Sequence, residues 1–140
     1  MFGPNPQREN SPSYIDEAIS LGYDVEVDVW FINDKYYLGH DEPQHEVTSE
    51  WLYKRPLWCH AKNQSAMEHM MRESIVCFWH ESDKVTLTTD GFLWCFPENY
   101  SELGITVHVG KCEEIPKQPC YGICTDYADQ WTTKCKVQNH

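Results

Sequence analysis

YDVEVDVWF, at Tyr23–Phe31, predicts a β-strand because it is rich in valine and aromatic residues. Successive strand residues point to opposite faces, so Glu26, Asp28 and Trp30 share one face and the valines between them share the other. The valine face is expected to pack against a layer of helices. Burial on both faces is typical of strands in parallel sheets. The segment therefore predicts an α/β protein.

The segments around this strand support the same fold class. Ser11, Pro12 and Gly22 predict a helix over Pro12–Leu21, with Ser11 as its N-cap and Gly22 just past its end. Further strands are predicted at Lys35–Gly39, Leu57–Ala61, Ile75–His80, Phe92–Phe96, Ile105–Val109 and Tyr121–Cys124. Helices and strands that alternate along a chain favour α/β architecture. With 140 residues, the chain has the length of a single domain.

Composition excludes some classes of function. The formal net charge is −11, and no basic stripe is present, so we expect no nucleic-acid partner. A small phosphate-bearing substrate would need a cation to offset the local carboxylates, which hints at a bound metal. No apolar run approaches the roughly 20 residues of a transmembrane helix. Without a recognisable secretory signal, a cytoplasmic location is expected.

The seven cysteines leave a different class of function open. They include no Cys-x-x-Cys pair, and we expect them to be mostly reduced, small core residues. A small zinc-binding or redox-active Cys/His protein is therefore a further alternative.

The acidic pair on the first strand is the main candidate for chemistry. Neighbours on one strand face, such as Glu26 and Asp28, lie about 6–7 Å apart, and burying two bare carboxylates is costly. A divalent cation between them would remove that cost, and oxygen ligands suit Mg²⁺ or Ca²⁺. The alternative is an amphipathic strand whose carboxylates face solvent. His40 follows a strand and could transfer a proton near neutral pH, or it could belong to an ordinary surface turn.

Several ordered motifs resemble one family of enzymes. They are Glu9-Asn10-Ser11-Pro12, Ala18–Gly22, Asp24–Val29 and Gly39-His40-Asp41, with looser matches at Leu57–Lys62 and Gly122–Asp126. In this order and spacing the set resembles the glycerophosphodiester phosphodiesterases, within the phospholipase-C-like phosphodiesterases. The resemblance implies a TIM-type (βα) barrel. A full barrel takes about 250 residues, so a reduced or incomplete barrel over residues 1–140 is expected.

The resemblance also implies roles for individual residues. Glu26 and Asp28 would be metal ligands, His40 a general acid or base, and Lys62 a phosphate contact. His60 stands where the family usually has a metal-binding carboxylate. It could ligate the metal, bond phosphate, or be a core histidine with satisfied nitrogens. For His80 a structural role is expected, and for Asp126 a helix N-cap.

One departure from the family pattern leaves two possible functions for this chain. The family's first strand ends in His-Arg-Gly, whereas this chain begins Met1-Phe2-Gly3-Pro4, so an N-terminally truncated barrel is expected. The first function is a metal-dependent hydrolase of glycerophosphodiesters or related phospholipid head groups. The second is a catalytically impaired remnant that binds a divalent cation or a phosphorylated ligand.

Overall fold

The computed structural model describes residues 1–53, 55–113 and 116–132. Its helices are α1 (Pro12–Ser20), α2 (Ser49–Tyr53) and α3 (Gln64–Arg72), and residues 128–132 are also helical. Its strands are β1 (Val25–Ile32), β2 (Lys35–Leu38), β3 (His45–Val47), β4 (Leu57–Ala61), β5 (Cys77–Phe78), β6 (Val85–Leu87), β7 (Leu93–Cys95), β8 (Gly104–Val107) and β9 (Gly122–Cys124). None of the helices in these ranges is long and apolar enough to cross a lipid bilayer.

Strand β1 is the centre of a five-stranded sheet with the order β3-β2-β1-β4-β5. It pairs antiparallel with β2 and parallel with β4, and β4 pairs parallel with β5. Asn33 and Asp34 make the tight turn between β1 and β2, each with a positive φ angle (51° and 59°). Asparagine and aspartate tolerate this conformation, which suits the twist of a two-residue hairpin.

The second sheet has the order β6-β7-β8-β9. Strands β7, β8 and β9 run parallel, and β6 is antiparallel to β7 at the edge. The edge strands β3 and β6 were not predicted from the sequence. Each has three residues and is at most half-buried, so neither carries the apolar alternation that identifies a strand.

The apolar core lies on the valine face of β1. Val27 and Val29 are fully buried there, in one cluster with Ile15 of α1 and Met70 of α3. Helix α1 ends as expected, because Gly22 has a φ angle of 88° and its N–H donates to the carbonyl of Ile19. The acidic face of β1 points away from this core.

An aromatic layer connects the two sheets. The ring of Phe78 in β5 stacks on Trp94 in β7, with 4.5 Å between centroids. Trp58 of β4 lies 6.1 Å from the same indole, and Ile105 of β8 completes the cluster. The contact between the sheets therefore depends on side chains.

The expected reduced or incomplete TIM-type barrel is correct only as far as the α/β class. The strands of the described residues form two separate sheets and no closed barrel. Strand β5 has two residues, and the next strand, β6, belongs to the second sheet, so no hydrogen-bonded ladder joins β5 to β7. Between β5 and β9, the described residues also contain no helix to cover the outer surface, as barrel helices do.

We expect Phe78→Ala to lower the free energy of unfolding by about 3–5 kcal/mol, because it empties the centre of the layer between the sheets. Phe78 is fully buried, whereas Phe2 is 71% exposed. Phe2→Ala is therefore the matched control and should change stability by less than about 0.5 kcal/mol. Urea denaturation of the two variants measures the difference. Similar losses in both would contradict the central role of Phe78.

Candidate metal centre

The pairing of β1 with β4 brings the candidate residues together. In the parallel register, Asp28 lies opposite His60 and Glu26 lies opposite Trp58. Lys62 follows directly after β4, and its backbone N–H continues the ladder by donating to the carbonyl of Val29 at 2.8 Å. Acidic and basic groups on neighbouring strands thus face the same side of the sheet.

Asp28 is the most enclosed group of the site, with 6% of its side chain exposed. Its Oδ2 accepts a hydrogen bond from Asn10 Nδ2 at 3.0 Å and lies 3.0 Å from His40 Nδ1. Its Oδ1 lies 3.2 Å from His60 Nδ1 and 3.4 Å from Lys62 Nζ. The carboxylate therefore has a partner group on every side.

These partners keep Asp28 ionised. Burial alone would raise the pKa of the Asp28 carboxyl. The nearby ring nitrogens of His60 and His40, the charge of Lys62 and the hydrogen bond from Asn10 outweigh burial and lower this pKa to about 2. Asp28 therefore carries a full negative charge at neutral pH without any metal.

Glu26 differs from Asp28 although it lies on the same face of the same strand. Its side chain is 28% exposed, and Oε1 lies 3.8 Å from His60 Nδ1. Burial and repulsion from Asp28 raise the pKa of Glu26 well above its usual range, and Lys62 offsets this only in part. A bound cation is the kind of partner that would favour the ionised form of Glu26.

His60 lies in the polar site and stacks on Phe78, with 5.1 Å between ring centroids. Its Nε2 is 2.8 Å from the carbonyl oxygen of His80. Because a carbonyl only accepts, Nε2 carries the proton, and in the neutral imidazole Nδ1 holds a lone pair. That lone pair faces Glu26 and Asp28, so a proton or a cation must lie between these three groups.

His40 lies at the entrance of the site, with 61% of its side chain exposed. Its position is fixed by Gly39, whose N–H donates to the carbonyl of Asp28 and whose carbonyl accepts from Trp30 Nε1 at 2.7 Å. A Cβ atom on Gly39 would collide with the carbonyl oxygen of Glu42. His40 Nδ1 faces Asp28, which leaves Nε2 for proton transfer at the surface.

Asn10 is a site residue whose role the sequence did not reveal. Its Oδ1 accepts from the backbone N–H of Asp28 at 2.9 Å, and its Nδ2 donates to the carboxylate. Its φ angle is 57°, a conformation that asparagine tolerates better than most residues. Its place in the motif Glu9-Asn10-Ser11-Pro12 was the available signal. Ser11, the expected N-cap, instead donates from its hydroxyl to the carbonyl of Arg8 at 2.6 Å.

The two weaker candidates lie near the same site. Asp126 is close enough to Glu26 to contribute to its raised pKa. Thr125 Oγ1 accepts from the N–H of Tyr127 at 3.2 Å, ahead of the helical residues 128–132, so this bond forms a turn and not the helix N-cap expected of Thr125 or Asp126. His80 contributes its backbone carbonyl to His60, and its own Nδ1 is buried without a hydrogen-bond partner in the structure.

Three of the predicted residues form a group that could hold a metal ion. Glu26, Asp28 and His60 each offer a ligand atom, and these atoms all lie within 4.8 Å of one another. Lys62 and His40 flank this group through Asp28. The five residues selected from the sequence thus lie around one carboxylate. In the part of the chain that the structure describes, this group contains no cysteine, and burial raises the pKa of the Cys59 and Cys124 thiols.

Comparison with known proteins adds no relative. No family model, curated protein or solved structure matches the chain. The site is therefore interpreted from its geometry, together with the resemblance of its sequence motifs.

We expect Asn10→Gly to lower the free energy of unfolding by about 1–3 kcal/mol, because it leaves the backbone N–H of buried Asp28 without a partner and removes one donor from its carboxylate. Glycine accepts a positive φ angle, so backbone strain does not contribute. Asn33→Gly is the matched control, since Asn33 has a similar φ angle in an exposed turn. Chemical denaturation of both variants checks this. Equal effects would show that the side-chain bonds of Asn10 contribute nothing.

We expect the metal-free protein to lose stability as the pH falls from about 4 to 2. The folded pKa of Asp28 is below its unfolded value near 3.9, so its stabilising contribution is present above that value and is lost on protonation. Unfolding measured against pH in chelator, for wild type and Asp28→Asn, checks this. The loss in this range should be smaller in Asp28→Asn, and an unchanged profile would contradict it.

Proposed function

We propose that the protein is a metal-dependent phosphodiester hydrolase that acts on glycerophosphodiesters or related phospholipid head groups. One observation supports this most strongly: the buried Asp28 carboxylate is shared between the group that could hold a metal and the exposed His40. Metal-dependent phosphodiester hydrolysis uses both a cation beside phosphorus and a group that transfers protons. The resemblance to the glycerophosphodiester phosphodiesterases supports the same reaction and substrate class.

Glu26, Asp28 and His60 are the residues that would hold the divalent cation. The sequence favours Mg²⁺ or Ca²⁺ in this role. When bound, the cation would polarise a phosphoryl oxygen and stabilise the charge that develops there. The raised pKa of Glu26 fits this function, because its carboxyl is poorly stabilised as an anion by the protein alone.

His40 and Lys62 would complete the chemistry. Asp28 orients His40 through Nδ1, so Nε2 is available to transfer a proton between solvent and a reacting oxygen. Lys62, with Nζ 3.4 Å from Asp28 Oδ1, is a fixed positive charge that would contact the phosphate. A substrate hydroxyl would attack phosphorus and expel the alcohol of the other ester, which takes up a proton, and water would then open the resulting cyclic phosphate, as in the family that the sequence resembles.

We further propose that the fold derives from a (βα) barrel without forming a closed one, and that the protein acts in the cytoplasm. His40 follows β2, Lys62 follows β4, His80 follows β5 and Asp126 follows β9. Reactive groups at the carboxyl ends of strands are characteristic of barrel enzymes. Both sheets also contain parallel strands, which is a second feature that the fold shares with a (βα) barrel.

A second candidate function is binding of a divalent cation or a phosphorylated ligand without hydrolysis. The family's reaction uses a pair of histidines. Of the two histidines beside Asp28, His60 has its Nε2 bonded to a carbonyl and its Nδ1 facing carboxylates. His40 therefore remains as the one with a nitrogen directed to solvent, which favours binding over turnover.

We expect the purified protein to release glycerol phosphate from glycerophosphodiesters in a reaction that a chelator abolishes. His40→Ala should lower the rate by about 10²–10⁴, as the loss of a proton-transfer group does, without preventing metal binding. His45→Ala is the control, because His45 lies in edge strand β3 outside the site. An assay of glycerol phosphate release measures all three proteins. Activity that survives chelation, or equal rates in both variants, would contradict the mechanism.

A further inference from the structure

We propose that the centre formed by Glu26, Asp28 and His60 selects a transition-metal ion that accepts nitrogen ligation, Zn²⁺ foremost and Mn²⁺ or Co²⁺ next, over Mg²⁺ and Ca²⁺. This inference rests on the metal-binding part of the proposed function and is independent of hydrolysis. The acidic pair alone suggests a centre with oxygen ligands only. The third ligand, His60, adds a nitrogen, which changes the expected metal.

The imidazole of His60 is oriented as a metal ligand by its surroundings. Its Nε2–H donates to the carbonyl of His80 at 2.8 Å, and its ring lies parallel to Phe78, with 4° between the planes. Metal-bound histidines almost always donate their second ring nitrogen to a carbonyl or carboxylate, which fixes the tautomer and raises the basicity of the ligating nitrogen. Here that nitrogen is Nδ1, and it faces both carboxylates.

The distances from His60 Nδ1 to the two carboxylates suit a small ion. His60 Nδ1 lies 3.2 Å from Asp28 Oδ1 and 3.8 Å from Glu26 Oε1. Two ligands bonded to a tetrahedral zinc ion at about 2.0–2.2 Å lie about 3.4 Å apart. Three protein ligands also leave one position open, as in catalytic zinc sites.

The ligand type disfavours Mg²⁺ and Ca²⁺. These ions take oxygen ligands and depend on several carboxylates or bound waters. In this centre the imidazole nitrogen of His60 takes the place of a third carboxylate. Imidazole suits zinc and the neighbouring transition metals. Replacing a carboxylate by an imidazole therefore costs these ions less binding affinity than it costs Mg²⁺ or Ca²⁺.

The selectivity test compares metal affinities of the full chain after metal removal. Titration calorimetry with Zn²⁺, Mn²⁺, Mg²⁺ and Ca²⁺ gives the ratio of Zn²⁺ to Mg²⁺ affinity for wild type and His60→Asp. Zinc binds N/O sites more tightly than magnesium in general, so the change in this ratio is decisive. We expect His60→Asp to lower the ratio at least tenfold, with a gain in Mg²⁺ or Ca²⁺ affinity. An unchanged ratio would overturn the proposal.

A spectroscopic test detects the nitrogen ligand directly. Pulsed electron paramagnetic resonance of the Mn²⁺-loaded wild type should show coupling to a histidine nitrogen, and ¹⁵N-histidine labelling should alter it without any substitution. His80→Ala is the matched control, because it keeps the backbone carbonyl that orients His60 and should keep the coupling. A bound ion without nitrogen coupling overturns the inference, even where His60→Asp fails to fold.

The outcomes separate this inference from the proposed hydrolase. Nitrogen-coupled metal without phosphodiester hydrolysis supports the inference and removes the enzyme. Hydrolysis that depends on Mg²⁺ or Ca²⁺, without nitrogen coupling, overturns the inference and keeps the enzyme. If none of the four ions binds, both fail.

Discussion

The buried carboxylate of Asp28 is the constraint on which the site depends. A charge taken out of water needs partners, and Asp28 finds them in three separate parts of the chain. Asn10 ties the segment before α1 to β1, His40 ties the hairpin loop, and His60 and Lys62 tie the neighbouring strand. Satisfying one charge therefore also fixes the relative positions of the groups that we assign to chemistry.

Glu26 and Asp28 show how one strand face can give two carboxylates different properties. Asp28 is surrounded by donors, and its pKa is low, whereas Glu26 is close to Asp28 and has few compensating partners, so its pKa is raised. Asp28 is thus a structural charge that is present with or without a metal. Glu26 is the group that would ionise when a cation binds. The charge of the proposed centre would therefore change on metal binding.

Local patterns in the sequence predicted much of the fold but little of its long-range contacts. The bounds of β4 are those expected, and valine alternation correctly indicated the buried face of β1. The expected reduced or incomplete TIM-type barrel was wrong beyond the α/β class, because a barrel depends on pairing between distant strands, which no local pattern predicts. For the site, the resemblance selected residues that do lie around Asp28. The role of Asn10 was missed, since its contacts span 18 positions of sequence. For His60, only the carbonyl of His80 decided which nitrogen is protonated.

The strict alternation along β1 has a consequence for how the site assembles. Val27 and Val29 have no exposed surface, and the alternate positions Glu26 and Asp28 are acidic. If β1 slipped by one position against β4, the valines would face the polar side and the carboxylates would enter the apolar layer beneath the helices. Ionised groups there would be strongly destabilising. The register that buries the valines in the apolar core is therefore also the register that places the acidic residues in the site.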